Sequence, residues 1–287
     1  MSNFLATTLP HTSMNTLNLI AEAFSYPFFV RALYVGGIIS VAGAMLGIYV
    51  VLRRESLMGH TIADISFLGI AIGLALGMNL DLITTLVAAL AAIAIAILQN
   101  TGRFSSDSVL AFTAEVSLAV AIFIISRLHG YRVDLLQYLF GDILGISSSD
   151  VVVSLALIPA ILIILFFARK KLLQVTFNQE LAISAGTNVP LYNTLFTMLV
   201  ALTIAVGIKI IGIILIAAFL IIPANIAKVF ARSFRETAIL AVLSAILATT
   251  MGLIVSYVLD IPSGAMIVMS LGGMLLLAMG IKGLFCR

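Results

Sequence analysis

Uncharged apolar runs of about twenty residues recur from one end of this chain to the other, and twenty is the length an α-helix needs to cross a bilayer. The clearest occupy 32–52, 82–102, 151–168, 210–227, 237–259 and 261–281, with weaker ones at 62–80, 109–126 and 190–208. In lipid every backbone N–H and C=O must be satisfied within the protein, which a helix does by itself. The chain therefore reads as an all-α integral membrane protein with eight or nine transmembrane helices. Composition agrees: 62% of the 287 residues are hydrophobic and 9% charged, against about a quarter charged in a soluble domain. The length reads as one transmembrane domain over 28–284, after an N-terminal segment, 1–27, that lies outside or at the interface.

The basic residues report orientation. Arg53 and Arg54, Arg103, the run 169–171, Lys228 with Arg232 and Arg235, and Lys282 with Arg287 fall in alternate connections, as in cytoplasmic loops. Nine helices with the N-terminus outside fit them, Arg127 and Arg132 being the exceptions. The net charge of +3 is spread among these links and forms no patch for nucleic acid. Residues 1–27 lack the basic start and small-residue cleavage site of a secretory signal. The single cysteine, Cys286, has no partner in the chain for a disulfide.

Gly36, Gly37, Gly43, Gly47, Gly69, Gly73 and Gly77 recur at three- or four-residue steps, the spacing that lets helix backbones approach closely. The stretch 127–150 is too broken to span and too apolar to hang free. It reads as a short outer interfacial helix anchored by Tyr131, Tyr138 and Phe140. In 168–190, three cations end one span, a short helix runs from about Asn178 to a stop at Gly186, and Pro190 opens the next. Glu180 and the small face of Ala182, Ser184 and Ala185 lack the cations a lipid-surface helix wants, so a docked partner is the better reading. Pro223 invites a kink, and Asn225 beside it either satisfies freed backbone groups or faces a pathway.

No GxxxxGK[ST], HExxH, nucleophile elbow or CxxC is present, so an enzyme reading has little support and ATP hydrolysis is not expected of this chain. Intramembrane polarity remains. His60 and Asp64, four apart in "RRESLMGHTIADIS", stack on one helix face within reach of a shared ion. Imidazole and carboxylate without thiolate suit zinc, manganese or iron. The plainer alternative leaves His60 at a wet helix end and has Asp64 cap the helix or pair with Arg53 or Arg54. Glu115, alone inside its span, is a candidate lining residue with Asn225, although pairing with a neighbouring helix is its ordinary role. Lys209 sits where a snorkelling helix end is expected.

The ordered motifs "LRRESLMGHTIADISFLGIAIG", "YLFGDILGIS", "FNQELAISAG", "IKIIGIILIAAFLIIPANIAKVFARSF" and "YVLDIPSGAMIV" resemble the membrane permeases of bacterial zinc/manganese ABC importers, the ABC-3 family. The resemblance covers about 26–284. It implies an ABC importer permease fold in the bacterial cytoplasmic membrane and a homodimer. It also implies an extracytoplasmic metal-binding protein that delivers Zn2+ or Mn2+, and cytoplasmic ATPase subunits that carry ATP and Mg2+. The permease itself holds no cofactor. "FNQELAISAG" occupies the place of the family's coupling helix, which assigns Phe177, Asn178, Glu180, Ala182 and Gly186 to the ATPase contact. Where the family usually reads an acid, three residues, then His, this chain has His60 first and Asp64 second. Asn225 and Ala265 also depart from the usual small residue and proline.

The resemblance thus makes His60 and Asp64 a transient metal site. Two protomers about a two-fold axis present two imidazoles and two carboxylates, enough for a four-coordinate zinc site or part of a manganese one. The neighbourhood of the pair looks closest to zinc-type members, with manganese next. Two other readings stay open: a permease for a metal chelate of siderophore or cobalamin type, and a secondary carrier without an ATPase, which often shows inverted repeats that are not detected here.

Overall fold

A computed structural model describes residues 24–128, 148–259 and 261–285. Its helices are α1 (Pro27–Leu52), α2 (Met58–Leu76), α3 (Leu80–Asn100), α4 (Ser106–Arg127), α5 (Ser148–Phe177), α6 (Gln179–Ser184), α7 (Val189–Ile211), α8 (Ile213–Phe230), α9 (Phe234–Leu259) and α10 (Ser263–Phe285). Among the described residues, nine of these are long and apolar enough to cross a membrane, all but α6. Nine is the larger of the two expected counts. The interfacial helix expected within 127–150, most of the segment 1–27, Asp260 and Cys286 lie outside the described residues.

Local chemistry sets the helix ends. Pro27 opens α1, where a missing N–H is harmless. The side chains of Asn79, Ser105, Asn178 and Asn188 each accept a backbone N–H at the start of α3, α4, α6 and α7. Gly77 ends α2 in the left-handed conformation, φ 62°.

Two expected boundaries move. The cations at 169–171 do not end their span, because α5 continues to Phe177 and buries Leu172 and Val175 in its added turns. The break between the sixth and seventh spans falls at Gly212, beyond 208–210, where φ 82° and ψ 163° suit glycine alone.

Helix α1 is central, packed against α5, α7, α8 and α9, while α2 lies against α3, α4 and α7. Close approach is what the small residues supply. A Cβ on Gly47 would sit 2.3 Å from the Leu220 carbonyl oxygen, so α1 and α8 touch backbone to backbone there. One on Gly252 would sit 2.5 Å from the Ile267 Cα, which joins α9 to α10 in the same way. Gly37 meets nothing, so the packing role of the glycine series does not extend to it.

Several buried hydroxyls are turned back to helix carbonyls, as Ser66 is to Ile62 and Thr249 to Ala245, whereas those of Thr84 and Ser154 meet no partner among the described residues. Thr61 lies 3.1 Å from the Leu110 carbonyl and ties α2 to α4. The outer surface carries large apolar side chains such as Leu90, Phe167 and Leu276, as lipid contact demands.

Candidate functional site

His60 is the third residue of α2 and Asp64 follows one turn later; the first is exposed and the second half-buried. Neither side chain hydrogen-bonds or forms an ion pair with another described residue. The plainer reading, in which Asp64 pairs with Arg53 or Arg54, is not what the fold builds. Arg53 is engaged elsewhere, and Arg54 is exposed in a left-handed turn, φ 61°.

Glu115, on α4, is exposed on the protomer and not enclosed by its span. It is not isolated either. His60 and Glu115 are the charged neighbours that act on Asp64. An exposed carboxylate well inside a membrane helix is costly against lipid, so this face borders water or another protein surface. Among the described residues, no group of three or more His, Cys, Asp or Glu is placed to hold a metal ion. One protomer therefore offers a partial ligand set.

Asn225 is half-buried, and its Nδ2 donates to the Ile221 carbonyl of its own helix at 2.9 Å. Proline 223 frees the carbonyl of Phe219, four residues back, so Asn225 does not repair that gap.

The short helix α6 forms where the sequence predicts it. Asn178 Oδ1 accepts from the Leu181 N–H at 3.0 Å, Glu180 occupies the first turn, and Gly186 closes it at φ 71°. Which face it offers differs from expectation. Ala182 is 1% exposed and packs with Val175 and Val189, whereas Leu181 and Ile183 are 68% and 62% exposed and Phe177 is 71%. The apolar residues Leu181 and Ile183 share the outward surface with Ser184 and Ala185, and of the small residues Ala182 alone turns inward. Sequence reasoning missed them because an amphipathic face cannot be read from six residues in a uniformly apolar chain. Lys171 Nζ donates to Thr187 Oγ1 at 3.1 Å, and Thr187 Oγ1 donates to Gln174 Oε1 at 3.3 Å, which pins both flanks of α6 together.

Arg53, read from the sequence as an orienting charge and as one possible partner of Asp64, instead joins this region to the start of the His60 helix. Its Nε donates to Thr176 Oγ1 on α5 at 3.1 Å, its Nη1 to Asn193 Oδ1 on α7 at 3.0 Å, and its guanidinium lies 4.3 Å from the centre of the Phe196 ring. Asn193 Nδ2 passes the chain on to Asn100 Oδ1 at 3.2 Å, at the end of α3. Two residues along, Glu55 is buried with one carboxylate oxygen unpartnered among the described residues. Burial pushes its carboxyl above the usual range and Asp107 adds to this, while Arg53 and a hydrogen bond from Ser106 pull it back.

Residues 25–282 match the family described as the ABC 3 transport family. The high-affinity zinc uptake system membrane protein ZnuB of Haemophilus influenzae is 32% identical over 237 residues, 83% of this chain and 91% of that one. The manganese transport system membrane protein MntB of Synechocystis is 30% identical, covering 91% and 85%. The chelated iron transport system membrane protein YfeD of Yersinia pestis is 31% identical, covering 89% and 86%. A solved structure described as PsaBC from Streptococcus pneumoniae in complex with Fab superposes with a TM-score of 0.80 at 27% identity, covering 92% of this chain and 95% of that one.

Proposed function

Because this chain belongs to the ABC 3 transport family and is a multi-pass permease of a bacterial metal importer, we propose that its cargo is a divalent transition-metal ion, zinc first and manganese next. The observation that carries this reading is the placement of His60 and Asp64 one turn apart on α2, neither tied up by another described residue, with Glu115 on α4 as a further charge acting on Asp64. A neutral imidazole and carboxylate oxygens are ligands for zinc and manganese, and an unengaged pair can exchange an ion quickly.

The partial set in one protomer supports a homodimer, whose two-fold axis doubles the donors to two imidazoles and two carboxylates before Glu115 is counted. Asn225 remains a candidate lining residue. Its half-burial leaves part of the amide open, although one N–H is committed to Ile221.

ATP and Mg2+ belong to partner ATPase subunits, which dock on α6 through Phe177, Leu181 and Ile183, with Asn178, Glu180 and Gly186 shaping the helix and Ala182 seating it. An extracytoplasmic metal-binding protein delivers the ion at the other end.

Uptake of zinc and manganese by the reconstituted complex, with His60→Ala and Asp64→Ala measured separately, tests the pair. Unchanged uptake of both metals in both variants overturns its role. Retained uptake of a chelated iron alongside lost uptake of free ions moves the cargo to the chelate class, for which the relative named for chelated iron is the supporting observation.

A further inference from the structure

A groove of about 480 Å3 opens between α1, α5 and α9. Val41, Met45, Leu162 and Val242 make its walls apolar, and Arg169 and Arg235 stand at one end. The two ends differ in depth. From Tyr49 to Val41 the groove follows α1 for about 12 Å of helix, at 1.5 Å per residue, which is less than half of the ~30 Å hydrocarbon core. The arginines lie at the end shared with Arg53, Lys228 and Arg232, the cytoplasmic one by the distribution of cations.

No carboxylate lines the groove. Glu236, next to Arg235 in sequence, has its Oε2 on the Arg232 N–H at 2.7 Å, so it caps α9 and leaves the groove basic. Arg169 is spread over the Phe166 ring, its guanidinium carbon 4.2 Å from the centroid, with its donors at the membrane edge. Both arginines are exposed.

A half-bilayer apolar slot ending in two uncompensated guanidinium groups complements an amphiphile with an acyl chain and an anionic head. Arginine's planar donors suit phosphate oxygens in particular. We propose that this groove is a binding site for one anionic phospholipid of the inner leaflet, its phosphate held by Arg169 and Arg235 and an acyl chain lying along Val41, Met45, Leu162 and Val242. Such a lipid bridges α5 and α9, helices that make no direct packing contact with one another of the size seen elsewhere in the fold.

The test uses the full-length permease with its ATPase subunits, stripped of lipid in detergent and titrated with phosphatidylglycerol, phosphatidylcholine or inorganic phosphate while thermal unfolding and native mass are followed. Phosphatidylglycerol alone is expected to raise the unfolding temperature and to add its mass. Arg169→Gln and Arg235→Gln should each weaken that effect about five-fold, the scale of one cation at an anionic surface. An equal shift with phosphatidylcholine, an equal shift with free phosphate, or an undiminished phosphatidylglycerol shift in both variants overturns the site. For a case where the variants do not fold, phosphatidylglycerol with a photoreactive acyl chain is applied to the wild-type complex. Adducts on Leu162 or Val242 are expected. Adducts confined to other faces, or cross-linking of the groove to a second copy of the chain, overturn the proposal.

Discussion

Arg53 and Thr176 are 123 positions apart in the chain and 3.1 Å apart in the fold. Their bond links the turn that leads into the His60 helix to the last turn before α6, and Asn193 ties the same guanidinium to the helix that follows α6. A displacement of α6 must therefore either carry the start of α2 with it or break these bonds. Arg53→Met keeps much of the apolar stem and removes both, each worth about 1.5–3 kcal/mol for a charged donor. The expected result is a lower unfolding temperature and, in the reconstituted complex, less metal moved per ATP hydrolysed. Arg53→Lys, which lacks the planar fork, should restore stability in part and coupling less.

The pair itself should behave as a unit. His60→Ala and Asp64→Ala are each expected to lower metal uptake at least ten-fold, and the double variant to fall little further, since a site missing one ligand type is already broken. Radiometal uptake into proteoliposomes measures this. The exchanged variant, His60→Asp with Asp64→His, retains both ligand types at the same spacing and should transport; the ratio of zinc to manganese rates reports whether ligand order sets selectivity.

On α6 the two faces predict opposite outcomes. Leu181→Asp or Ile183→Asp changes a side chain more than 60% exposed and should abolish copurification with the ATPase subunit while leaving the unfolding temperature within a degree or two. Ala182→Asp buries an unpaired charge against Val175 and Val189 and should destabilise the permease directly.

Gly47 and Gly37 form a matched test of backbone packing. Alanine at Gly47 must displace the Leu220 carbonyl, and overpacking of this kind costs about 1–3 kcal/mol. Alanine at Gly37 meets open space and should be neutral or slightly stabilising through its helix preference. Thermal unfolding of the two single variants decides it.

Glu55 gives a pH dependence of definite sign. Burial raises its native pKa above the ordinary 4.5, so the native state holds the proton more tightly than the unfolded chain does. The resulting stabilisation is fully present below the unfolded value and is lost as pH rises through the raised native value. Glu55→Gln, neutral at every pH, should flatten the fall in unfolding temperature over that window and match or exceed the wild type above it.

The apolar spans were legible, as eight or nine, because a bilayer writes its thickness into the sequence as apolar length. Of the capped helix starts only the one at Asn178 was read from the sequence, while the caps Asn79, Ser105 and Asn188 emerged with the structure. The bounds of α6, from Asn178 to Gly186, are local in the same sense. Glu115 was read as enclosed because span membership says nothing about which side of a helix meets protein. For the same reason Ala182 was placed outward and Leu181 and Ile183 were overlooked.

In water, polarity marks the outer face of a helix; in lipid both faces are apolar and the periodic signal that would separate them is erased. What the amino-acid order determined by itself is therefore what is governed by length and by neighbours a few residues away: the apolar spans, to within one, the short helix between Asn178 and Gly186, and the spacing of His60 and Asp64 one turn apart. The tertiary structure alone decided what depends on partners distant in the chain. It set Gly47 against Leu220 and drew Thr176 and Asn193 onto Arg53. Those contacts arise from close approach of helix backbones, and that geometry exists only once the helices have assembled.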